Sequence, residues 1–179
     1  MFLTIDYLKK GSKIQKQAFA ALTDLNIMND LADYSPILCG TIPINLNVAG
    51  SDLDIILEVK DFVTFKNIIH GLYGDKEEFT LKMKEIRNNP VMKVNFVYSG
   101  FEFEIFGQPV PVIKQYAYLH MIIEDYILHE SPHLKEKIML LKEQGYKTEP
   151  AFCKVLSIEE GDPYESLLHY GKERGIIHR

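Results

Sequence analysis

The chain has 179 residues, a formal net charge of −5 at pH 7 and two cysteines, Cys39 and Cys153. The acidic balance argues against non-specific binding to long nucleic acids, which depends on Lys and Arg side chains that neutralise phosphates. No apolar run approaches the roughly 20 residues that span a bilayer, and two distant cysteines are typical of reduced thiols, so we expect a cytoplasmic protein without a membrane partner.

The first predicted element is an amphipathic helix that begins after Ser12. Ser12 and Gln15 fit the Ser-x-x-Gln capping box, in which each residue satisfies a backbone group of the other. Apolar residues follow at helical spacing, namely Ile14, Ala18, Ala21, Leu22, Leu25 and Met28. We expect this helix to pack on a sheet whose first strand covers residues 36–40, because Pro36 favours an extended chain.

An uncharged connection follows that strand, from Thr41 to Ser51. Gly40, at its start, would let backbone amides approach a phosphate closely, and the Thr41 hydroxyl would add a donor. A Gly-Thr pair is also what a simple tight turn needs. The pair therefore fits either a phosphate contact or a turn.

The next strand carries two carboxylates at its start, in the sequence Gly-Ser-Asp-Leu-Asp-Ile-Ile-Leu from residue 50. Because side chains alternate between the two faces of a strand, Asp52 and Asp54 point one way while Leu53 and Ile55 point into a core. Two neighbouring acids raise each other's proton affinity, so the arrangement is costly unless a cation lies between them. Oxygen-only ligands favour Mg²⁺ or Mn²⁺, and the pattern predicts a divalent metal site.

These residues resemble the signature of the DNA polymerase beta-like nucleotidyltransferase superfamily. That signature is a hydrophobic residue, Gly, Gly or Ser, a spacer and then Asp-hydrophobic-Asp-hydrophobic. The chain has Cys39-Gly40-Thr41, ten residues, and Asp52-Leu53-Asp54-Ile55, with Thr41 keeping the hydroxyl of the preferred Ser. The resemblance covers roughly residues 36–107 and is interpreted as a small bacterial-type branch of the superfamily.

The resemblance implies a metal-dependent transfer of a nucleoside monophosphate from a nucleoside triphosphate to a hydroxyl acceptor. Asp52 and Asp54 would be catalytic metal ligands, and Gly40, Thr41 and Ser51 would contact the nucleotide. The acceptor could be a protein side chain, an RNA end or a small molecule. Relatives commonly place an Arg in the connection, and this chain has none there, so an inactive nucleotide-binding or protein-interaction module is the alternative.

A helix is predicted over residues 61–72, with Asp61 as its N-cap. The strand after it alternates, and Lys82 and Lys84 fall on one of its faces. Lysines on a strand fit two roles, protection of an exposed sheet edge against pairing or contact with the phosphates of a nucleotide. We include both lysines among the candidate nucleotide-binding residues.

Residues 91–106 predict a β-hairpin with its turn at Ser99-Gly100. Glu102 and Glu104 lie two apart in its second strand and therefore face the same way. The superfamily completes its metal site with a third carboxylate on a neighbouring strand. We expect Glu104 in that role because it lies deeper in the strand, and Glu102 is the alternative.

From residue 113 to residue 128 the apolar period becomes helical, and His120 and Glu124 interrupt the apolar face one turn apart. Burying either group without a partner costs about 1–3 kcal/mol or more. We therefore expect the two to bond to each other or to the sheet, and to line a substrate pocket beside the acidic cluster. A satisfied structural pair is the alternative.

The remaining chain, from Pro132, is predicted to be helical and polar, with breaks at Gly145 and Pro150. The whole pattern predicts an α+β fold, with a mixed β-sheet nucleotidyltransferase core, an N-terminal packing helix and a C-terminal helical region. We place the core at residues 1–109 and the helical region at residues 110–179. The length also suits one single domain.

Overall fold

The computed structural model describes residues 2–177, which form five strands and seven α-helices. The strands are β1 (Ile37–Cys39), β2 (Leu53–Glu58), β3 (Glu77–Ile86), β4 (Asn89–Tyr98) and β5 (Phe101–Gln108). The helices are α1 (Lys13–Asp24), α2 (Ile27–Asp30), α3 (Phe62–Tyr73), α4 (Tyr116–Glu130), α5 (Leu134–Glu143), α6 (Thr148–Val155) and α7 (Pro163–Glu173). Short 3-10 turns cover Asp6–Lys10, Ala32–Tyr34 and Val112–Lys114.

All five strands form one mixed sheet in the order β1-β2-β5-β4-β3. Strands β2 and β5 are parallel, and the other neighbouring pairs are antiparallel. The register places Asp54 opposite Cys39 on one side and opposite Glu104 on the other. The predicted α+β fold with a mixed sheet is confirmed.

The helix starts follow the capping residues seen in the sequence. The Ser12 hydroxyl accepts a hydrogen bond from the Gln15 amide, and the Gln15 side chain accepts one from the Ser12 amide, so the predicted capping box is confirmed. Asp61 accepts hydrogen bonds from the amides of Val63 and Thr64 at the start of α3, as predicted. Each cap satisfies amides that a helix leaves unpaired at its first turn.

One face of the sheet is closed by the N-terminal part of the chain. Apolar residues that alternate along β2, β4 and β5 pack there against α1, α2 and α3. They include Leu53, Ile55, Leu57, Val94, Phe96, Phe103 and Ile105, and all are buried. The helices contribute Ala18, Leu22, Ile27, Phe65 and Ile69 to the same core.

The opposite face is covered in part by the C-terminal helices. Ile37, Cys39 and Ile56 from the sheet pack there with Met121, Ile123 and Ile127 of α4, and with Ile138, Phe152 and Leu167 of the helices that follow. This second core reaches only part of the sheet. An open cleft separates the rest of the face from the helices.

The starts of β1 and α4 differ from the sequence prediction. Strand β1 begins at Ile37 because Pro36 has no amide hydrogen to give to a neighbouring strand. The predicted helix over residues 113–128 begins three residues later, at Tyr116, after a 3-10 turn and an extended residue, Gln115. Ile113 was expected in the buried stripe and is 52% exposed, because it lies in that turn.

No helix among residues 2–177 combines the length and the apolar character needed to cross a bilayer. The two cysteines are buried free thiols. The proposed division between residues 1–109 and 110–179 stays a prediction.

Candidate functional site

The turn after β1 lies directly against the second aspartate. Gly40 has a φ of +82°, in the left-handed region that residues with a side chain rarely adopt. A Cβ atom at this position would also overlap the Asp54 carboxylate. Glycine is therefore required twice, by the backbone conformation and by the closeness of the acid.

The connection from Thr41 to Ser51 is held in shape by hydrogen bonds. The Ser51 hydroxyl accepts from the Val48 amide at 2.9 Å and lies 3.4 Å from the Thr41 hydroxyl, which donates to it. Gln15 reaches the connection from α1, where its side-chain amide donates to the carbonyls of Ile42 and Pro43 at 2.9 and 3.0 Å. Gln15 is buried, and its two hydrogen bonds join the connection from Thr41 to Ser51 to α1.

Three carboxylates meet where the start of β2 lies beside the middle of β5. Asp52 comes just before β2, Asp54 lies within it, and Glu104 lies opposite Asp54 on the parallel neighbour. One oxygen from each lies within 4.8 Å of the other two. We call these three residues the acidic triad. Such closely grouped oxygen donors suit a hard divalent cation.

Burial and nearby negative charges make Asp52 and Asp54 reluctant to ionise. The pKa of Asp54 is raised to about 8, first by burial and then by the charges of Asp52 and Glu104, while the Lys93 charge acts in the opposite direction. The pKa of Asp52 is also raised, first by burial. A cation placed among the three groups would reverse this effect because it favours the charged form.

Glu102 lies further along the same face of β5 and outside the acidic triad. It is exposed and accepts a hydrogen bond from the Asn95 side chain at 3.0 Å. Of the two glutamates considered as the third carboxylate, the structure brings Glu104 to the aspartates and leaves Glu102 in solvent.

The lysines of β3 lie on the same sheet face as the acidic triad but on the outer strand. Lys82 lies opposite Lys93 of β4, which in turn lies opposite Phe106 of β5. Lys93 lines the cleft, whereas Lys82 and Lys84 do not. The basic residue nearest the triad on this side is therefore Lys93, whose Nζ lies 2.6 Å from Glu104 Oε2.

The cleft above the acidic triad has a volume of about 860 Å³ and is walled by the sheet on one side and by the helical region on the other. Its lining combines acids, bases and aromatic rings. The basic residues are Arg87, Lys93, Lys114, Lys142 and Lys147, and the tyrosines are Tyr116, Tyr146 and Tyr164. Basic groups thus reach the cleft from other parts of the chain, whereas the connection has none.

The hairpin between β3 and β4 reaches across one end of the cleft. Its turn residues Arg87 and Asn88 both have positive φ, as a tight two-residue hairpin requires. The Arg87 guanidinium lies 4.3 Å from the centre of the Tyr116 ring, and its Nε lies 3.5 Å from Glu165. These contacts join the sheet edge to α4 and α7.

His120 and Glu124 are buried and line the cleft, but the predicted bond between them or to the sheet is wrong. The His120 Nε2 lies 2.9 Å from the Tyr164 carbonyl, and its Nδ1 lies 3.4 Å from Glu149. The partners come from α6 and α7, which the helical periodicity of α4 alone does not locate. One oxygen of Glu124, Oε1, has no hydrogen-bond partner among the described residues.

The charged groups around Glu124 influence one another. Burial raises the pKa of Glu124 well above its usual value, and the Glu149 charge adds to this effect. Burial also lowers the pKa of Lys142, against the attraction of both glutamates. Although burial disfavours its charge, Glu149 has a lowered pKa because His120 and a backbone amide donate hydrogen bonds to it. The helical wall thus carries a polar cluster of its own.

The sequence prediction missed the roles of Gln15, Lys93 and Gln115. Gln15 was recognised only as a helix cap, although its side chain also holds the connection. Gln115 is buried, and its side-chain amide donates to the carbonyls of Leu57 and Val110 at 3.0 and 2.8 Å. Alternation along β4 was the available signal for Lys93, because it puts that residue on the polar face of a strand beside Glu104.

Comparison with known proteins provides a family for most of the chain. The family model described as "Domain of unknown function (DUF4269)" matches residues 20–170. No curated protein matches the sequence.

Solved structures share the fold at low sequence identity. The GLD-2/RNP-8 complex matches with a TM-score of 0.54 and 14% identity, over 93% of this chain and 63% of that one. The polymerase core of the RNA surveillance complex TRAMP matches at 0.54 and 11%, over 88% and 49%. The Cid1 poly(U) polymerase with Mg 3′-dATP bound matches at 0.52 and 18%, over 77% and 45%. The chain has the fold of polymerase beta-like nucleotidyltransferases and spans 45–63% of the length of these three structures.

Proposed function

We propose that this chain, which belongs to the DUF4269 family, is a metal-dependent nucleotidyltransferase. It would move a nucleoside monophosphate from a nucleoside triphosphate to a hydroxyl acceptor, as a small bacterial-type branch of the superfamily. The observation that carries the proposal is the acidic triad, with three carboxylate oxygens within 4.8 Å of one another in a cleft of a nucleotidyltransferase fold. Residues 1–109 would supply the reacting groups, and residues 110–179 would supply the opposite wall.

The acidic triad fits a divalent ion by its chemistry. Its donors are all carboxylate oxygens, which Mg²⁺ and Mn²⁺ prefer. Gly40 leaves room for the Asp54 carboxylate, and a cation would offset the burial and the neighbouring negative charges that raise the pKa of Asp54. Asp52, Asp54 and Glu104 would therefore hold the metal. When bound, such an ion supplies charge neutralisation for the transferred phosphoryl group and acidity for the acceptor hydroxyl.

The remaining residues would bind and orient the nucleotide. The positive φ of Gly40 allows the backbone to approach a phosphate, and the Thr41 and Ser51 hydroxyls lie beside it. Lys142 and Lys147 line the facing wall, where ammonium groups suit the charge of a triphosphate. We assign the phosphate contacts to this facing wall and to Lys93, and leave Lys82 and Lys84 outside the site because neither lines the cleft.

The alternative of an inactive binding module rested on the absence of a basic residue in the connection. Basic residues from β4, α5 and the segment before α6 line the cleft and supply that charge from elsewhere in the chain. This observation favours an active enzyme. The acceptor, whether a protein side chain, an RNA end or a small molecule, belongs to the part of such folds that varies most.

Two measurements test the proposal in order. A thermal shift in the presence of Mg²⁺ and each of the four nucleoside triphosphates should raise the melting midpoint, since a ligand that binds only the folded state stabilises it. Incubation with α-labelled nucleotide and cell extract should then transfer label. Asp54→Asn is the control and should lose transfer. A wild-type protein whose midpoint moves with none of the four nucleotides would contradict the proposal.

A further inference from the structure

Lys93 is bonded to the acidic triad itself. Its Nζ lies 2.6 Å from Glu104 Oε2, and the two side chains are only 29% and 21% exposed. Among the ion pairs of residues 2–177, this is the one that includes a triad carboxylate. The two residues come from neighbouring strands, β4 and β5, so the sheet holds their backbones at a fixed distance.

The ammonium of Lys93 bonds a carboxylate that a metal ion at the acidic triad would also use. The three triad carboxylates lie close together, and without a positive charge nearby their repulsion would be uncompensated. Lys93 supplies one charge by bonding Glu104. A divalent ion bound to the same triad would also take a Glu104 oxygen. Two cations that share one carboxylate repel each other, so the lysine and the metal compete for Glu104.

The side chain of Lys93 has a second potential partner, the triphosphate of a bound nucleotide. It lines the same cleft as Lys142 and Lys147, where the triphosphate is proposed to lie. A lysine carries a compact charge on a flexible four-carbon stem with three donors, which suits an exchange between a carboxylate and a phosphate. The metal would take Glu104 from Lys93, and the nucleotide would provide its phosphates as the new partner.

We propose that Lys93 is an exchangeable counter-ion of the acidic triad, which bonds Glu104 in the free protein and transfers to the triphosphate when the metal nucleotide binds. This inference rests on the proposed function. It gives Lys93 two opposite effects, a hindrance to metal binding in the absence of nucleotide and a contribution to the binding of the metal nucleotide.

The chain offers a matched control for this lysine. Lys82 lies opposite Lys93 across β3 and β4, on the same face of the sheet. Its side chain does not line the cleft. Replacing either lysine by Met removes one charge and keeps most of the aliphatic stem. A difference between the two variants therefore reports position and not net charge.

The experiment measures two affinities in three proteins: wild type, Lys93→Met and Lys82→Met. The first is the affinity for Mn²⁺ alone, by titration calorimetry. The second is the affinity for each of four Mg-nucleoside triphosphates in the form of their non-transferable α,β-methylene analogues. We expect Lys93→Met to bind Mn²⁺ about threefold to tenfold more tightly, because a competing charge has been removed. It should bind the best nucleotide analogue about tenfold more weakly, because a charged phosphate contact is lost.

Proton binding does not reverse the expected sign. Removing Lys93 also favours protonation of the carboxylates, but the metal carries two charges and a proton one, so the metal gains more. Lys82→Met should stay within about twofold of wild type in both affinities. A Lys93→Arg variant keeps the charge and should return both affinities toward wild type. If Lys93→Met does not fold, Lys93→Gln replaces it as the neutral variant, and Lys93→Arg remains the charged control.

The outcomes separate this inference from the proposed function. If wild type binds none of the four analogues, the proposed function fails. If wild type binds one of them and both affinities of Lys93→Met move in the same direction, or neither moves, the exchange of Lys93 is contradicted while the proposed function stands. Opposite shifts in Lys93→Met, absent in Lys82→Met, support the exchange.

Discussion

The two faces of the central sheet use the same strands for opposite purposes. Toward α1 and α3, Leu53, Ile55 and Phe103 are fully buried among apolar neighbours. Toward the cleft, the residues between them are Asp54 and Glu104, whose charges are close together and partly buried. Alternation along a strand separates the two faces by a single residue. Apolar packing on one face can thus offset the free-energy cost of grouping carboxylates on the other face of the same strands.

One face carries a packed apolar core, and the other carries the grouped carboxylates. Apolar burial stabilises the fold by roughly 25 cal/mol per Å² removed from water, and the closed face contributes to it through β2, β4 and β5. The cleft face opposes folding wherever a carboxylate loses water without a partner. Substitutions on the two faces should therefore change stability in opposite directions.

The largest effect is expected from Phe103→Ala on the closed face. Phe103 is fully buried and stacks on Phe96 with a ring separation of 5.1 Å. Removing the ring leaves a cavity, and we expect the free energy of unfolding to fall by about 3–5 kcal/mol. Urea denaturation followed by circular dichroism measures it. A loss smaller than that of a surface substitution would break the contrast between the faces.

The pH dependence of stability tests the cleft face. The pKa of Asp54 is about 8 in the folded protein, above the usual value of 3.8. The folded protein therefore binds an extra proton between these values, and its free energy of unfolding falls as the pH rises through this window. Without divalent ions, we expect a loss on the order of 3 kcal/mol from Asp54 between pH 5 and pH 8.

Asp54→Asn is the control for that pH dependence because it cannot ionise. Urea denaturation of both proteins across the range should show a smaller decline for the variant, so that the variant is the more stable protein at pH 8. Parallel curves for the two proteins would mean that other groups, such as Glu124, cause the decline.

An intermediate effect is expected from Gln15→Leu, because the Gln15 side chain joins α1 to the connection from Thr41 to Ser51. The change leaves the carbonyls of Ile42 and Pro43 without the donor they now have, and the buried groups should cost about 1–3 kcal/mol of stability. Because the connection also carries Gly40 and Thr41, nucleotide affinity should fall as well. Gln15→Glu keeps the capping acceptor but removes the donors, and should show the same loss of nucleotide affinity.

The smallest effect is expected from Glu102→Ala. Glu102 is exposed and bonds only the Asn95 side chain among the described contacts. Its removal should change the free energy of unfolding by about 0.5 kcal/mol or less, as is usual for surface positions. Mn²⁺ affinity should stay near the wild-type value, whereas Glu104→Ala should lower it. If Glu102→Ala weakens Mn²⁺ binding as much as Glu104→Ala, the third ligand has been assigned to the wrong glutamate.

Several features were predictable from the sequence because they depend on neighbours along the chain. Asp52 and Asp54 share a face since strand alternation is a local rule. The capping residues Ser12 and Asp61 bond amides within three residues of themselves. The α+β fold followed from the order of helical and alternating periods together with the resemblance carried by Gly40 and the two aspartates.

Other features were decided only by the tertiary structure, because they depend on pairs of residues far apart in sequence. Strand alternation puts Glu102 and Glu104 on the same face and does not say which of them lies beside Asp54. The register of β2 against β5 decides this, because it pairs Asp54 with Glu104. His120 meets Glu149 and the carbonyl of Tyr164 because α6 and α7 fold back onto α4. Local periodicity fixes which side of an element a residue occupies, but only the packing of elements determines which residue lies opposite.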